Sequence, residues 1–265
     1  MKLNRRAIWE VLEFPKNLFP SKYRTFADPA TFHINKMLDL IPKGEFGMIA
    51  LDCGAGPQNK KSFIENKNYI YESSDFENIF DKHSLIKQTY ICNVENMPIS
   101  SDRFDLIISV QVLEHVEHPL LAIQEMARVL KQNGFFFLST NLLYPRHGEP
   151  YDFFRFTENG LSLLANEAGL EVESIVAHGG FWAVVAQFFH ELPLYFRNYL
   201  IFGSSHPAST NHPLKSRLPL LLFLYIPIFC INAITQLLAF FCHSLDKLDR
   251  TQRYTLGYSL ILRKR

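Results

Sequence analysis

The chain has 265 residues, of which 20% are charged and 48% hydrophobic, and its formal net charge at pH 7 is +1. This length suits one α/β domain with an elaboration, or two small domains, and the composition excludes a chain that is disordered throughout. The lack of a basic excess argues against a general nucleic-acid-binding protein, and a mean hydropathy of −0.02 excludes a polytopic membrane protein. The charge is unevenly divided, because basic residues outnumber acidic ones by nine to three after residue 180.

The cysteines and the first residues indicate the compartment. Cys53, Cys92, Cys230 and Cys242 lack the C-x-x-C spacing of a zinc or redox site, so we expect free thiols in a reducing environment. Residues 1–14 are basic but lack the apolar run of a signal peptide. These features predict a cytoplasmic catalytic body.

Short apolar runs alternate with helical patterns between residues 46 and 180. Before them, residues 1–45 form an aromatic-rich segment, broken by prolines, that we predict as a helical N-terminal cap. Strands are predicted over residues 48–52, 69–75, 89–93, 104–110, 135–140 and 171–177, and helices over 120–130 and 157–168. A β-α-β series of this kind implies a mostly parallel sheet with helices on its faces.

The pattern changes after residue 180. Residues 203–217 are rich in Ser, Pro and His and predict a loop, and residues 219–242 form a run of 24 residues without a charged side chain. A helix of that length could cross about 30 Å of hydrocarbon, and Pro227 would kink it. We therefore predict an apolar helical insertion over residues 181–252. The chain then returns to the sheet domain with a last strand within 253–265.

A glycine-rich turn follows the first predicted strand. Gly54 and Gly56 suit a tight turn at the carboxyl edge of the sheet, which is where open α/β sheets bind ligands. Asp75 ends the next predicted strand and can accept hydrogen bonds from two ribose hydroxyls. The dinucleotide-binding motif also requires a third glycine, which is missing here. In addition, Pro57 lacks the backbone N–H that could bind a pyrophosphate. A nucleoside ligand without phosphates therefore fits the turn better than a dinucleotide.

Four segments, in order, resemble the class I S-adenosylmethionine-dependent methyltransferases, and in particular the methyltransferase type 11 domain. They are LDCGAGP, YESSDF, NVENMPISSDRFDLIISVQVLEHVEHP and RVLKQNGFFFLSTN, within about residues 46–180. The resemblance implies a Rossmann-like, seven-stranded sheet with helices on both faces and S-adenosylmethionine as cofactor. It also implies that strand seven inserts antiparallel beside strand five, with the apolar insertion between the last two strands.

The resemblance also implies which residues bind the cofactor. They are Asp52, Gly54, Ala55, Gly56, Asp75, Phe76, Asn93, Val94, Val110 and Gln111. Asp75 would bind the ribose hydroxyls, Phe76 would flank the adenine, and Asn93 and Val94 would contact its edge. The family usually has Asp where this chain has Asn93, and an Asn can still accept a hydrogen bond from the adenine amino group. Glu72 is the alternative ribose-binding acid.

Polar side chains crowd into the segment after the fifth predicted strand, where the substrate should lie. The candidate catalytic residues are His147, Tyr151, Asp152 and Arg155 in this segment, and His115 in the LEHV run. His147 or His115 could take the proton of an acceptor hydroxyl. Asp152 and Arg155 alternatively form a structural pair that fixes the loop. The sequence His-Val-Glu-His over residues 115–118 offers no evident third ligand, so no metal site is predicted.

The insertion has both ends on the same side of any membrane if the last two strands pair, so a single crossing is incompatible with the sheet. We therefore predict a monotopic segment at the inner face of a membrane, peripheral to it or dipping into it. Flanking basic residues would meet anionic headgroups: Arg197, Lys215, Arg217, Lys247, Arg250 and Arg253. A buried lid or a dimer interface is the alternative.

The sequence as a whole predicts an S-adenosylmethionine-dependent methyltransferase. We expect it to methylate an oxygen of a small-molecule, lipid-linked or saccharide acceptor at a membrane surface, with no nucleic-acid partner. The alternatives are a methyltransferase-fold protein that binds the cofactor without turnover, a nicotinamide-dependent oxidoreductase, and a membrane-anchoring scaffold.

Overall fold

A computed structural model describes residues 29–76, 87–202 and 218–265. Its strands are β1 (Ile49–Cys53), β2 (Ile70–Asp75), β3 (Tyr90–Ile91), β4 (Phe104–Val110), β5 (Leu130–Asn141), β6 (Leu170–Ala177) and β7 (Gly257–Lys264). Its helices are α1 (Pro29–Leu38), α2 (Lys61–Glu65), α3 (Pro119–Val129), α4 (Glu158–Glu167), α5 (Phe181–Phe202) and α6 (Leu218–Leu245). The predicted loop over 203–217 and residues 1–28 of the predicted cap lie outside the described residues.

The described strands form one seven-stranded sheet in the order β3-β2-β1-β4-β5-β7-β6. All neighbouring strands are parallel except β7, which runs antiparallel to both β5 and β6. The predicted fold class, a Rossmann-like methyltransferase sheet with strand seven inserted beside strand five, is therefore confirmed. In chain order, α5 and α6 lie between β6 and β7.

The strand boundaries differ most from the prediction at β5. This strand was predicted to begin at residue 135, after a helix ending at residue 130, but α3 ends at Val129 and β5 begins at Leu130. The prediction was wrong here because Asn133 adopts a positive φ of 63° within the strand, which resembles a turn signal in the sequence. The pairing register of β4 and β5 shifts over the same stretch.

The chain divides into two compact units. The described residues of the sheet unit are 34–76, 87–178 and 255–265, and those of the helical unit are 29–33, 179–202 and 218–254. Residues 34–45, which the sequence places in an N-terminal cap, belong to the sheet unit. All four cysteines fall within the described ranges, and all four are free thiols.

Large apolar side chains fill both faces of the sheet in the sheet unit. Successive residues of β4 point to opposite faces, so Ile107 packs in one core cluster with Phe136, while Leu106 packs in the other with Phe137. Helices α3 and α4 cover the first cluster, and α1 and α2 contribute residues to the second. This core holds the carboxyl ends of β1, β2 and β4 in fixed positions, at the edge where a ligand is expected.

The helical unit buries a different kind of side chain. Helix α5 packs against α6 through the small residues Ala186, Ala239 and Cys242, and Gln187 and Thr235 are only 3% and 6% exposed. Large apolar side chains of the same two helices are exposed instead: Phe188, Ile231, Ile234, Leu237, Phe240 and Phe241. Within the described parts of the chain, no helix combines the length and the apolar character needed to cross a membrane.

Two aspartates satisfy the first backbone N–H groups of α5. Asp246 Oδ1 accepts hydrogen bonds from Gly180 N and Ala183 N, both at 2.9 Å, and Asp249 Oδ2 accepts one from Phe181 N at 2.7 Å. These N–H groups have no partner within the helix, and carboxylates also suit the positive end of the helix dipole. The residues just after α6 therefore fasten the beginning of α5.

Candidate active site

A cavity of about 640 Å³ opens at the carboxyl ends of β1, β2 and β4. This volume is in the usual range for a small-molecule site. Eight residues that the sequence predicts for the site line it: Gly54, Asp75, Phe76, Asn93, Val94, Gln111, His115 and Tyr151. The other predicted residues stand behind the lining or in neighbouring loops: Asp52, Ala55, Gly56, Val110, His147, Asp152 and Arg155.

The turn after β1 requires a glycine at its first position. Gly54 has a φ of 67°, and a Cβ built on it would lie 2.3 Å from Val112 Cγ2. The N–H groups of Gly54 and Ala55 both donate to the carbonyl of Ser74, at 2.9 and 3.1 Å. The turn is therefore fastened to β2 and lies close against the residues after β4, which shapes this side of the cavity.

Asp75 presents a fixed carboxylate to the cavity. Its Oδ2 accepts a hydrogen bond from Gly56 N at 2.7 Å, and its Oδ1 accepts one from Phe76 N at 2.8 Å. Each oxygen keeps one lone pair, so the two oxygens together can accept hydrogen bonds from two ribose hydroxyls. The alternative acid, Glu72, is held elsewhere by Arg103 and Tyr90, at 2.8 and 2.7 Å, and does not line the cavity.

Asp52 supports the turn without lining the cavity. Its side chain is fully buried, accepts a hydrogen bond from Tyr71 Oη at 2.8 Å and lies 3.4 Å from Lys60 Nζ. Burial raises the pKa of Asp52, and the nearby Lys60 ammonium opposes this shift. The network anchors the end of β1 to its neighbours directly below the glycine turn.

The loop after β3 contributes Asn93, Val94 and Glu95 to the lining of the cavity. Asn93 Oδ1 accepts a hydrogen bond from Glu95 N at 2.9 Å, which closes a turn and leaves one lone pair of this oxygen for a ligand. The Glu95 carboxylate accepts a hydrogen bond from His118 N at 3.0 Å. The sequence prediction missed Glu95, although it belongs to the segment that resembles the family.

The charged side chains of the cavity lining are acidic. Asp75, Glu95 and Glu117 line it, and among the described residues of the lining none is Lys or Arg. An acidic cavity attracts a positively charged sulfonium and repels a pyrophosphate. Its electrostatics therefore favour S-adenosylmethionine over a nicotinamide dinucleotide.

Two histidines meet at the edge of the cavity. His115 Nε2 lies 3.1 Å from His147 Nε2, and His147 Nε2 lies 3.8 Å from Glu114 Oε1. His115 Nδ1 faces the carbonyl of Tyr151, and His147 Nδ1 lies 3.1 Å from the carbonyl of Pro145. Both histidines were predicted as catalytic candidates; His115 lines the cavity, whereas His147 stands behind it and contacts His115.

Glu114 is the residue that sequence reasoning missed most clearly. Its side chain is fully buried, and its two oxygens accept hydrogen bonds from Thr140 Oγ1 and Asn141 Nδ2, each at 2.8 Å. Burial raises the pKa of this carboxyl group, while the hydrogen bonds act in the opposite direction. The sequence feature that could have identified Glu114 is its position in the LEHV run, directly before His115, which the prediction did include.

Asp152 and Arg155 hold the loop that carries His147. The Arg155 guanidinium binds the Asp152 carboxylate with two hydrogen bonds, at 2.6 and 2.9 Å, and donates to the carbonyls of Tyr144 and Pro145. Asp152 Oδ2 also accepts a hydrogen bond from His147 N at 3.0 Å. The Arg155 guanidinium holds the pKa of Asp152 at about 2. These contacts have the geometry expected if Asp152 and Arg155 form a structural pair that fixes the loop. A direct catalytic role for the two residues stays a prediction.

The same loop lies tightly against His115. Gly148 has a φ of 68°, and a Cβ there would come within 2.8 Å of His115 Cε1. Tyr151 and Phe153 continue the lining beyond it, and the Phe153 N–H donates to the carbonyl of Glu114 at 2.9 Å. The loop and the residues after β4 therefore form one wall of the site.

Comparisons with known proteins agree with this geometry. Residues 51–138 match the profile of a family described as "Methyltransferase domain". An uncharacterized protein of Methanocaldococcus jannaschii is 29% identical over 126 residues, which are 48% of this chain and 54% of that protein. The mitochondrial ubiquinone biosynthesis O-methyltransferase of Dictyostelium discoideum is 28% identical over 93 residues, 35% of this chain and 24% of that one.

Residues 51–138 form a methyltransferase domain of the class I, S-adenosylmethionine-dependent type. This match confirms the predicted family for these residues and supports S-adenosylmethionine as the cofactor, whereas it gives no support to the nicotinamide alternative. The chain spans about half, or less, of the length of the curated relatives it matches.

Solved structures show the same fold. The [4+2]-cyclase SpnF aligns with a TM-score of 0.53 at 16% identity, over 89% of this chain and 81% of that one. A Galdieria sulphuraria protein provisionally assigned as a sarcosine dimethylglycine methyltransferase aligns with a TM-score of 0.50 at 16% identity, over 91% and 84%. At this identity the likeness establishes the fold alone.

Proposed function

We propose that this protein transfers a methyl group from S-adenosylmethionine to an oxygen of an acceptor held at a membrane surface. The main support for methyl transfer is the acidic cavity of about 640 Å³. Its lining includes both Asp75, the acid proposed to bind the ribose, and His115. His115 and Tyr151 both line the cavity, so we place the acceptor between the loop that carries Tyr151 and the bound cofactor.

The reaction requires an oxygen nucleophile in line with the methyl group. The acceptor oxygen attacks the methyl carbon, a C–O bond forms, and the C–S bond breaks to release S-adenosylhomocysteine. The hydroxyl proton must leave during this step, and the His115–His147 pair provides nitrogen lone pairs at the edge of the cavity that can promote its loss. Alignment of the two reactants supplies much of the remaining rate.

The helical unit supports a membrane surface as the place of the acceptor. Its exposed apolar side chains and its buried small and polar ones are the arrangement that suits helices packed in an apolar solvent. Lys247, Arg250 and Arg253 follow α6 and are exposed, so they are available to anionic headgroups. Of the other flanking basic residues, Lys215 and Arg217 lie outside the described residues. A lipid-linked acceptor or a saccharide carried on a lipid fits this placement.

Cofactor binding is tested by calorimetric titration with S-adenosylhomocysteine and, separately, with NADH. We expect S-adenosylhomocysteine to bind and NADH not to bind. Transfer is then tested with methyl-labelled S-adenosylmethionine and a membrane lipid extract, followed by isolation of the labelled lipid. Cofactor binding without any labelled product from lipid or saccharide acceptors would reject the proposed reaction and favour a binding protein without turnover.

Membrane association is tested by flotation with vesicles of phosphatidylcholine and phosphatidylglycerol. We expect the protein to float with these vesicles and the triple variant Phe188→Ser, Leu237→Ser, Phe241→Ser to lose at least about tenfold in partitioning, because burial of each side chain contributes on the order of 1.5–3 kcal/mol. The matched control, Leu121→Ser with Leu163→Ser, changes two exposed leucines of the sheet unit. Equal loss in both variants would contradict a membrane-facing role for the helical unit.

A further inference from the structure

The two histidines at the cavity edge present their lone pairs to each other. His115 Nδ1 faces the carbonyl of Tyr151, and His147 Nδ1 faces the carbonyl of Pro145. A carbonyl oxygen only accepts hydrogen bonds, so both Nδ1 atoms carry the proton in these contacts. In the neutral imidazoles the two Nε2 atoms are then both acceptors, yet they lie 3.1 Å apart. Two facing lone pairs at this distance require a positive charge between them.

A buried carboxylate completes the cluster. Glu114, His115 and His147 each bring one ligand atom, and these atoms all lie within 4.8 Å of one another. The side chain of Glu114 is fully buried, and within the described residues no Lys or Arg forms an ion pair with it. A buried carboxylate without a cationic partner is costly. A cation between Glu114 and the two Nε2 atoms would balance this charge and satisfy both lone pairs.

We propose that Glu114, His115 and His147 bind a divalent transition-metal ion of the zinc type. Two imidazole nitrogens on one tetrahedral zinc ion lie about 3.3 Å apart, close to the separation found here. Glu114 Oε1 lies 3.8 Å from His147 Nε2, so binding of an ion would draw the carboxylate inwards. Three protein ligands of this kind leave one coordination position, as in catalytic zinc sites, and His115 lines the cavity beside it.

The surroundings of the three ligands are those of a supported metal site. The Nδ1–H group of each histidine donates a hydrogen bond to a backbone carbonyl, which fixes the tautomer that a metal ligand needs. The Glu114 oxygens are oriented by Thr140 and Asn141. His118, which the sequence pairs with His115, lies apart from this cluster and contacts Glu95 instead.

The role of the ion rests on the proposed function, whereas its binding does not. An acceptor hydroxyl bound at the open position would have a lowered pKa and would release its proton to water, leaving an oxygen nucleophile beside the methyl group. The histidines would then promote deprotonation through the ion rather than by accepting the proton directly.

The test uses the full chain, treated with a chelator and dialysed, and titrated with Co²⁺ while the visible absorption of the bound ion is recorded. We expect one equivalent to bind, Zn²⁺ to displace it, and His147→Ala and Glu114→Gln each to weaken binding at least about 100-fold. His118→Ala is the matched control and should bind Co²⁺ within about twofold of the unchanged protein. S-adenosylhomocysteine affinity, measured for each variant, shows that the fold is intact; His147→Gln replaces any variant that fails this check.

The outcomes separate this site from the proposed reaction. Absence of stoichiometric Co²⁺ binding, or equal binding in His147→Gln and His118→Ala, would overturn the metal site and leave a proton shared by the histidines. Methyl transfer that survives complete removal of metal would keep the proposed reaction and overturn the metal's role. Co²⁺ binding that depends on the three ligands, without transfer to any hydroxyl acceptor, would keep the site and reject the reaction.

Discussion

The sheet unit and the helical unit bury opposite kinds of side chain. In the sheet unit the fully buried side chains include Phe104, Phe136 and Phe137, whereas in the described part of the helical unit the buried positions are small or polar and Leu237 and Phe241 are each 60% exposed. The same apolar residue types therefore serve two purposes in one chain. In the sheet unit they stabilise a core against water, and in the helical unit they face outwards, where a lipid surface can cover them.

Substitution of one large side chain in each unit gives the largest expected contrast. Phe136→Ala removes a fully buried ring from the core of the sheet unit and should lower the free energy of unfolding by about 3–5 kcal/mol. Phe241→Ala in the helical unit should leave it nearly unchanged. Denaturant unfolding in mild detergent measures both, and comparable losses would show that Phe241 is packed in a core.

The cofactor site allows a second contrast, between two acids of one strand. Asp75→Ala removes the carboxylate at the cavity and should weaken S-adenosylhomocysteine binding roughly 10- to 100-fold, since hydrogen bonds to a charged group contribute about 1.5–3 kcal/mol. Glu72→Ala should have little effect because Glu72 pairs with Arg103 away from the cavity. Calorimetric titration of both variants decides between them, and a larger loss for Glu72→Ala would reassign the ribose-binding acid.

The Asp152–Arg155 pair makes the stability of the sheet unit depend on pH. The exposed apolar side chains of the helical unit do not titrate and make no such contribution. The pKa of Asp152 is about 2 in the folded protein, against an ordinary value of 3.8. Because the folded pKa is the lower one, the stabilisation is complete above about pH 4 and is lost as the pH falls towards 2, with a total of about 1–2 kcal/mol. Unfolding free energies between pH 5 and 2 for the unchanged protein and Arg155→Gln measure it; identical slopes would contradict the assignment.

Helix capping provides the smallest contrast between the units. Thr157 Oγ1 accepts a hydrogen bond from Gly160 N at 3.2 Å at the start of α4, and Thr157→Ala should cost about 1 kcal/mol. Asp246→Ala removes the acceptor of two N–H groups at the start of α5 and should cost more. Thermal unfolding compares the two, with Ser162→Ala, a half-buried site in α4, as a small-effect reference.

The sequence could predict which residues line the cavity where those residues follow the ends of successive strands. Gly54 and Asp75 follow the ends of successive strands, and the ends of parallel strands meet at one edge of the sheet, so their place at the cavity could be derived from spacing. The contact of His115 with His147 could not, because it depends on how a loop without regular structure returns over the residues after β4. The Arg155 and Asp152 contacts that shape this loop involve mainly backbone carbonyls, which leave no signal in the sequence.

The helical unit was predicted only by composition. A run of 24 uncharged residues indicates an apolar segment, but it does not say which residues face a partner helix. Burial of Gln187 and Thr235 and exposure of Leu237 follow from the packing of α5 on α6, which brings small residues together so that the backbones can approach. That arrangement becomes visible only when both helices are placed.

The position of β7 sets an order for the synthesis of the protein. This strand lies between β5 and β6, but it follows α5 and α6 in the chain. While a ribosome is still making the helices, the edge of β5 that carries Phe136 to Leu138 has no partner, and β6 has no neighbour through which to join the sheet. The sheet is completed only after the helical unit has emerged, so the helices reach their surroundings before the sheet unit closes.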